Sequence, residues 1–204
     1  MDMDPSLSYH FQNRRPSDIR TAQIEFQKRK DKVDAVNVAI GNVSLPMHPL
    51  MQERAKKIMD ETSPFQNGVV RYTPTAGLEE TNKAFLNVIA ASGFDTKNLY
   101  SMITDGGSAA MELVVLGCCG PAGSDEKPLM VIEPVYTNYI SMAKRTGRQT
   151  IKITRTLQEN GKFSLPDFES IEKMMELHKP GALVVIPYDN PAGQYYDLET
   201  MEKL

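Results

Sequence analysis

Two glycines and a serine, Gly106, Gly107 and Ser108, separate a short apolar segment from a long one. Residues 99–103 are apolar enough for a strand, and residues 109–118 are nearly all apolar without proline, which is typical of a buried helix. The first N–H groups of a helix have no partner within it and attract anions. Glycines let a phosphate approach the backbone, and the Ser108 hydroxyl adds a donor. Taken alone, a plain turn before a helix remains the alternative.

Two further polar segments each follow an apolar run. Residues 133–139 follow the run 129–132, and residues 188–193 follow the run 182–186. Continuous apolar runs of this length are typical of strands buried on both faces of a sheet. Alternation of such strands with helical segments predicts an α/β fold with a parallel sheet. Ligands bind beyond the carboxyl ends of the strands in such sheets, which is where these polar segments lie.

Several helices are predicted from apolar spacing and capping residues. Asp18 is expected to cap a helix that runs to about Lys32, and a long helix is expected at residues 78–91. Ser164 and Asp167 have the spacing of a capping box, which predicts that Ser164 opens a helix ending near residue 178.

The composition excludes several classes of protein. The chain has 204 residues, of which 41% are hydrophobic and 24% charged, as expected of a globular protein. A net charge of −3 gives no reason to expect nucleic acid or a membrane as partner. The sequence begins without signal-peptide features and contains no apolar run of membrane-spanning length. We therefore expect a cytoplasmic protein.

Cys118 and Cys119 are the only cysteines and end the apolar segment that starts at residue 109. This position predicts reduced, buried thiols, with a vicinal disulfide or a metal pair as the alternatives. No metal site is predicted, because no second Cys or His lies at ligand spacing.

Five segments, taken in order, resemble the class I/II aminotransferases, the fold-type-I enzymes that use pyridoxal 5'-phosphate (PLP). The resemblance extends from about Val36 to the last residue. It implies a three-layer αβα fold containing an incomplete, mostly parallel sheet of the aspartate aminotransferase-like large domain. Residues 1–50 would form an N-terminal arm and part of a small domain, and residues 51–204 the first part of the PLP-binding domain. The matching segments are Val38–Gly41, Arg71–Leu78, Thr104–Met111, Glu133–Tyr139 and Tyr188–Gly193.

The resemblance assigns three residues to the phosphate of PLP. Gly107 and Ser108 would hold it through backbone N–H groups and the Ser108 hydroxyl. Tyr72 would reach the phosphate bound by a neighbouring subunit, which implies a homodimer.

Three further roles concern the ring of PLP and the substrate. Tyr136 would stack on the pyridine ring, with a plain core aromatic as the alternative. Asn190 would donate its amide to the ring oxygen, with an Asx turn before Pro191 as the alternative. Gly41 would let the carboxylate of the substrate approach the backbone, or would only form a turn.

The family also needs residues that this sequence does not contain at the matching positions. In the family, the Schiff-base lysine, an Asp at the pyridinium nitrogen and a substrate-binding Arg all follow the Asn-Pro-x-Gly turn. Only eleven residues follow Gly193, and Lys203 is their only lysine. We therefore expect an N-terminal half that has no catalytic residue and is inactive alone. Two strands from beyond residue 204 would lie between those at 99–103 and 182–186.

The parent protein is expected to be a PLP-dependent aminotransferase of amino-acid metabolism, which moves an amino group from an amino acid to a 2-oxo acid. Within the family, a lyase acting on carbon–sulfur bonds or a decarboxylating relative is the alternative. A non-catalytic binding or regulatory protein that retains the fold is an alternative of another class. Residues downstream of position 204 distinguish them.

Overall fold

The computed structural model describes residues 6–38 and 44–204, and the chain divides into two compact units at the bond between Tyr72 and Thr73. The described residues of the first unit form three helices and a short 3₁₀ turn: α1 (Tyr9–Gln12), α2 (Asp18–Gln27), α3 (Pro49–Lys56) and the turn Gln66–Gly68. The predicted cap of α2 is wrong by one residue, because the Ser17 hydroxyl, not Asp18, accepts the bond from the Arg20 N–H.

The second unit, residues 73–204, contains five helices and three strands. The strands form a parallel sheet in the order β2-β1-β3, with Leu129 opposite Thr150 of β2 and Ala182 of β3. In chain order the elements are α4 (Glu79–Ala91), α5 (Gly107–Cys118), β1 (Leu129–Glu133), α6 (Thr137–Arg145), β2 (Thr150–Thr154), α7 (Phe168–His178), β3 (Ala182–Val184) and α8 (Leu198–Lys203).

The central strand β1 is buried on both faces. Leu129 and Val131 pack on one face against α5 and α6, through Val115 and Ala143 among others. The alternate residues of β1 pack on the other face in a cluster that includes Ile171 of α7. Helices therefore cover the sheet on both sides, and the predicted α/β fold is confirmed.

The strand predicted at residues 99–103 is wrong, since the structure shows no strand there. The Ile103 N–H bonds the Ala76 carbonyl at 3.0 Å, and the Ser101 hydroxyl donates to the Asn82 side-chain oxygen at 2.7 Å. A strand needs a neighbouring strand for its hydrogen bonds, and this segment bonds a turn and a helix instead. It does not pair with β3.

The predicted start of α7 is also wrong. Asp167 is the N-cap, and its carboxylate accepts from both the Ser170 N–H and the Ser170 hydroxyl. Ser164 instead accepts a hydrogen bond from the Thr156 N–H at 3.1 Å. A nearer side chain therefore takes the capping position that the spacing had assigned to Ser164.

The two cysteines differ in their environment. Cys119 is buried, whereas Cys118 is exposed, so the prediction of two buried thiols is half correct. Both are free, and burial raises the pKa of the Cys119 thiol. In the described ranges, no helix is both long and apolar enough to cross a bilayer.

Gly77 provides a test of the contact between the turn before α4 and the segment 99–103. Its φ is +94°, and a Cβ there would lie 2.8 Å from the Ile103 Cβ. We expect Gly77→Ala to lower the free energy of unfolding by about 2–4 kcal/mol through backbone strain and overpacking. Gly93 is the control, because it has the same φ with open space around it. If urea unfolding gives equal losses for the two variants, the Ile103 contact contributes nothing.

Asp167 provides a test by pH. Its hydrogen bonds from Ser170 hold the pKa of the carboxyl below its ordinary value of 3.8. A pKa lowered by folding stabilises the protein above that ordinary value, and the contribution disappears as the pH falls below it. Asp167→Asn retains an acceptor but does not titrate, so its melting temperature should fall less steeply in acid. Glu169→Gln, which removes a carboxyl of the same turn that accepts no hydrogen bond from the described residues, should keep the wild-type slope.

Candidate functional site

The first turn of α5 is open. Gly106 is the N-cap with φ +83°, and no side chain bonds the free N–H groups of the helix. The first hydrogen bond of the helix runs from the Ala110 N–H to the Gly106 carbonyl, so the N–H groups of Gly107 and Ser108 find no acceptor in the part of the chain that the structure describes. Both residues are exposed, and a Cβ on Gly107 would meet nothing within 4 Å. This geometry fits a phosphate group.

The first turn of α5 also carries no negative charge. A carboxylate in the first turn of a helix normally neutralises its positive end, but α5 and α6 have none and also lack a side-chain cap. The other three helices of the unit have one or both of these features: Glu79 and Glu80 in α4, Asp167 in α7 and Asp197 in α8. The two helices without either feature are α5, which begins at Gly107, and α6, which begins directly after Tyr136.

Tyr136 lies between β1 and α6 and is the N-cap residue of α6. The residue is 40% exposed, and its ring meets the Tyr139 ring edge-on at 5.9 Å between centroids. Its hydroxyl accepts from the Asn138 amide at 2.8 Å. Tyr139 packs against the core and supports the Tyr136 ring from one side. Tyr136 therefore combines a fixed aromatic neighbour with partial exposure to solvent.

Asn190 lies at the tip of a tight loop that follows β3. The Asp189 N–H bonds the Gln194 carbonyl at 2.6 Å, and the Gly193 N–H bonds the Asp189 carbonyl at 2.9 Å. Tyr188 and Tyr195 form an antiparallel bridge at its base. Asn190 itself is exposed, and its amide makes no hydrogen bond to any described residue, so the alternative Asx turn is absent. The amide is free to donate to a ligand.

An ion pair that the sequence did not reveal lies behind these loops. The guanidinium of Arg155 pairs with Asp189, and their side chains are only 1% and 5% exposed. Arg155 directly follows β2, and 34 positions separate it from its partner. No local pattern predicts a contact at that separation, and no role was expected of Asp189.

A second ion pair joins the two open helices. Arg145 near the end of α6 donates to the Glu112 carboxylate of α5 at 2.6 and 3.3 Å. This bond lowers the pKa of Glu112. Both side chains are partly exposed. The pair therefore orients α5 and α6 relative to each other more than it stabilises the fold.

Two of the predicted residues do not belong to the second unit. Tyr72 is fully exposed and belongs to the first unit. Gly41 lies outside the described residues. A groove of about 590 Å³ runs along α5 between the segments 73–78 and 103–105, but none of Gly107, Ser108, Tyr136 and Asn190 lines it. No described group of three His, Cys, Asp or Glu side chains is arranged to hold a metal ion.

Comparisons with known proteins match this fold. A profile of the family described as "Aminotransferase class I and II" matches residues 33–204. The aspartate aminotransferase of Sulfurisphaera tokodaii is 25% identical over 182 residues, covering 88% of this chain and 42% of the relative.

Two solved structures also superpose on the chain. A Thermus thermophilus aspartate aminotransferase double mutant superposes with a TM-score of 0.75 at 21% identity, covering 98% of this chain and 49% of that one. A PLP-bound C–S lyase from Staphylococcus hominis superposes with a TM-score of 0.53 at 15% identity, covering 76% and 37%. The chain therefore spans less than half the length of these relatives. Because the family profile matches well over half of the sequence, the chain belongs to the aminotransferase class I and II family.

Proposed function

We propose that this chain supplies the cofactor-phosphate and ring contacts of a PLP-dependent aminotransferase that moves an amino group from an amino acid to a 2-oxo acid. The observation that carries the proposal is the open N-terminus of α5, which has neither a capping side chain nor an acidic residue in its first turn. Such a helix end favours a dianionic group such as a phosphate. Family membership and the PLP-bound relative identify PLP as the phosphate carrier.

Each contact has a defined task in this proposal. The N–H groups of Gly107 and Ser108, with the Ser108 hydroxyl, bind the phosphate. Tyr136 orients the ring by stacking, and Asn190 donates its amide to the ring oxygen, which favours the deprotonated oxygen. When bound, PLP withdraws electrons from the substrate carbon that carries the amino group. Gly41 would let the carboxylate of the substrate approach the backbone.

Assembly is part of the proposal. Tyr72 would donate its hydroxyl to the phosphate bound by a second copy of the chain, which makes the protein a homodimer with shared active sites. The fully exposed ring of Tyr72 supports this assignment, because a contact across an interface needs an accessible side chain. Residues 1–204 have no lysine at a position that matches the Schiff-base lysine of the family, so residues 1–204 alone would not catalyse the reaction.

The reaction is tested on the full-length natural polypeptide with PLP and a panel of amino acids. An aminotransferase releases one 2-oxo acid per cofactor that becomes aminated and then stops until a 2-oxo acid acceptor is added. It releases no ammonia at either stage, because the acceptor takes up the amino group. A C–S lyase instead releases thiol, ammonia and pyruvate from cysteine conjugates and needs no acceptor. The C–S lyase relative gives this alternative its basis. PLP binding without any release of 2-oxo acid or ammonia would favour a regulatory protein.

Ser108 is the most direct test of phosphate binding. Ser108→Ala should weaken PLP binding by about 1–2 kcal/mol, the contribution of a hydrogen bond to a charged group, and Ser108→Asp should weaken it further by repulsion. Ser141→Ala, an exposed serine of α6, is the matched control.

The phosphate itself is tested by measuring the affinity for pyridoxal, which lacks it. The loss caused by Ser108→Ala should disappear with pyridoxal as ligand. Equal PLP affinity of the wild type and Ser108→Asp, measured by fluorescence titration, would reject the phosphate site.

The shared site is tested by mixing subunits of two inactive variants, Tyr72→Ala and Ser108→Asp. In a hybrid dimer, one site combines an intact Ser108 with the partner's intact Tyr72, whereas the other site carries both changes. Subunit exchange should therefore restore up to one active site in two. Activity that stays absent after exchange is confirmed, or a monomeric active enzyme, would contradict the role of Tyr72.

A further inference from the structure

Arg155 occupies the space between two loops that carry proposed cofactor contacts. Its backbone N–H bonds the Glu133 carbonyl at 3.0 Å, which continues the pairing of β1 and β2 by one residue. Its side chain also reaches the loop after β1: Nε donates to the Glu133 carbonyl and Nη2 to the Pro134 carbonyl, each at 3.3 Å. Nη2 donates to Asp189 as well. One guanidinium therefore holds the loop after β1 and the loop after β3 together.

The surroundings of Arg155 restrict its movement. The guanidinium carbon lies 5.5 Å from the Phe163 ring centroid and 5.7 Å from that of Tyr196, so an aromatic ring flanks it from each of two segments. The Gln194 side chain bonds the Phe163 backbone at both its N–H and its carbonyl, at 2.7 and 3.0 Å. Phe163 and Gln194 thereby join the hairpin after β2 to the loop after β3.

The burial of two charged groups requires that Arg155 and Asp189 remain paired. A buried carboxylate without a partner strongly destabilises the folded state. The Asp189 carboxylate is therefore held next to the Arg155 guanidinium. A planar guanidinium donates in several fixed directions at once, which a lysine ammonium on a flexible stem does not reproduce. Nη1 is buried and has no partner among the described residues, so the contacts are concentrated on Nε and Nη2.

We propose that Arg155 and Asp189 are positioning residues that set the distance between the ring-stacking Tyr136 and the amide donor Asn190. Asn190 follows Asp189 directly in the chain, and Tyr136 lies two residues after Pro134, so the ends of both loops are held by the same side chain. This inference rests on the proposed function of Tyr136 and Asn190 and adds what holds them in register. Neither Arg155 nor Asp189 contacts the cofactor; they act through their neighbours.

The test uses the absorbance of PLP bound to the full-length protein, titrated with pH. Asn190→Ala is the reference variant, because loss of its amide should raise the proton affinity of the cofactor chromophore about tenfold. Asp189→Asn and Arg155→Lys keep most of the side-chain volume and some of the hydrogen bonds. Each should raise the proton affinity of the chromophore by at least about threefold. Adding Asp189→Asn to Asn190→Ala should produce no further shift, since the pair acts through Asn190.

Two further variants separate positioning from general stability. Arg155→Met with Asp189→Asn removes both charges together, so no unpaired charge is buried and the fold should be retained. It should still show the shifted titration. Glu199→Gln, which breaks the exposed ion pair with Lys203 on α8, should leave the titration unchanged.

The outcomes distinguish the positioning role of Arg155 and Asp189 from the proposed function of Asn190. The positioning role is overturned if folded Asp189→Asn and the folded double variant both titrate like the wild type while the titration of Asn190→Ala is shifted. That result leaves the function of Asn190 intact. An unshifted Asn190→Ala rejects the proposed function of Asn190 and the positioning role with it. Additive shifts of Asp189→Asn and Asn190→Ala also overturn the proposal, because they show that Asp189 acts independently of Asn190.

Discussion

Burial of β1 on both faces is the constraint on which the second unit depends. Leu129, Met130 and Val131 are each at most 1% exposed, so both faces of the strand must be covered by helices. A strand with no exposed face also needs hydrogen-bonding partners on both sides, and β2 and β3 provide them in parallel. Parallel pairing places the carboxyl ends of the three strands at one edge of the sheet. Tyr136, Arg155 and Asn190 all follow those ends.

Stability and binding make opposite demands on the helix ends. Asp167 and Asp197 cap α7 and α8, where the helix start has only a structural task. The start of α5 has a glycine in a left-handed conformation and exposed N–H groups, an arrangement that a design for stability would avoid. The local rule is broken where a ligand can supply the missing acceptor, which is where functional sites are expected.

The buried pair of Arg155 and Asp189 shows how such a site is kept in register. Asn190 is exposed and its amide bonds no described residue, so the position of the loop tip depends on its buried neighbour Asp189. A charged pair costs desolvation energy that apolar residues would not. The pair also fixes the orientation of the two loops, because the guanidinium bonds specific oxygens on the loop after β1 and on Asp189.

The sequence by itself determined the alternation of strands and helices from residue 107 onward, since apolar runs and turn residues are local signals. It also placed the polar segments at strand ends, and the order of its motifs indicated the family. The tertiary structure decided what depends on distant partners. Residues 99–103 have strand-like composition but bond the turn at Ala76 and the helix residue Asn82. Asp189 pairs with an arginine 34 residues away, because burial and charge, not spacing, brought them together.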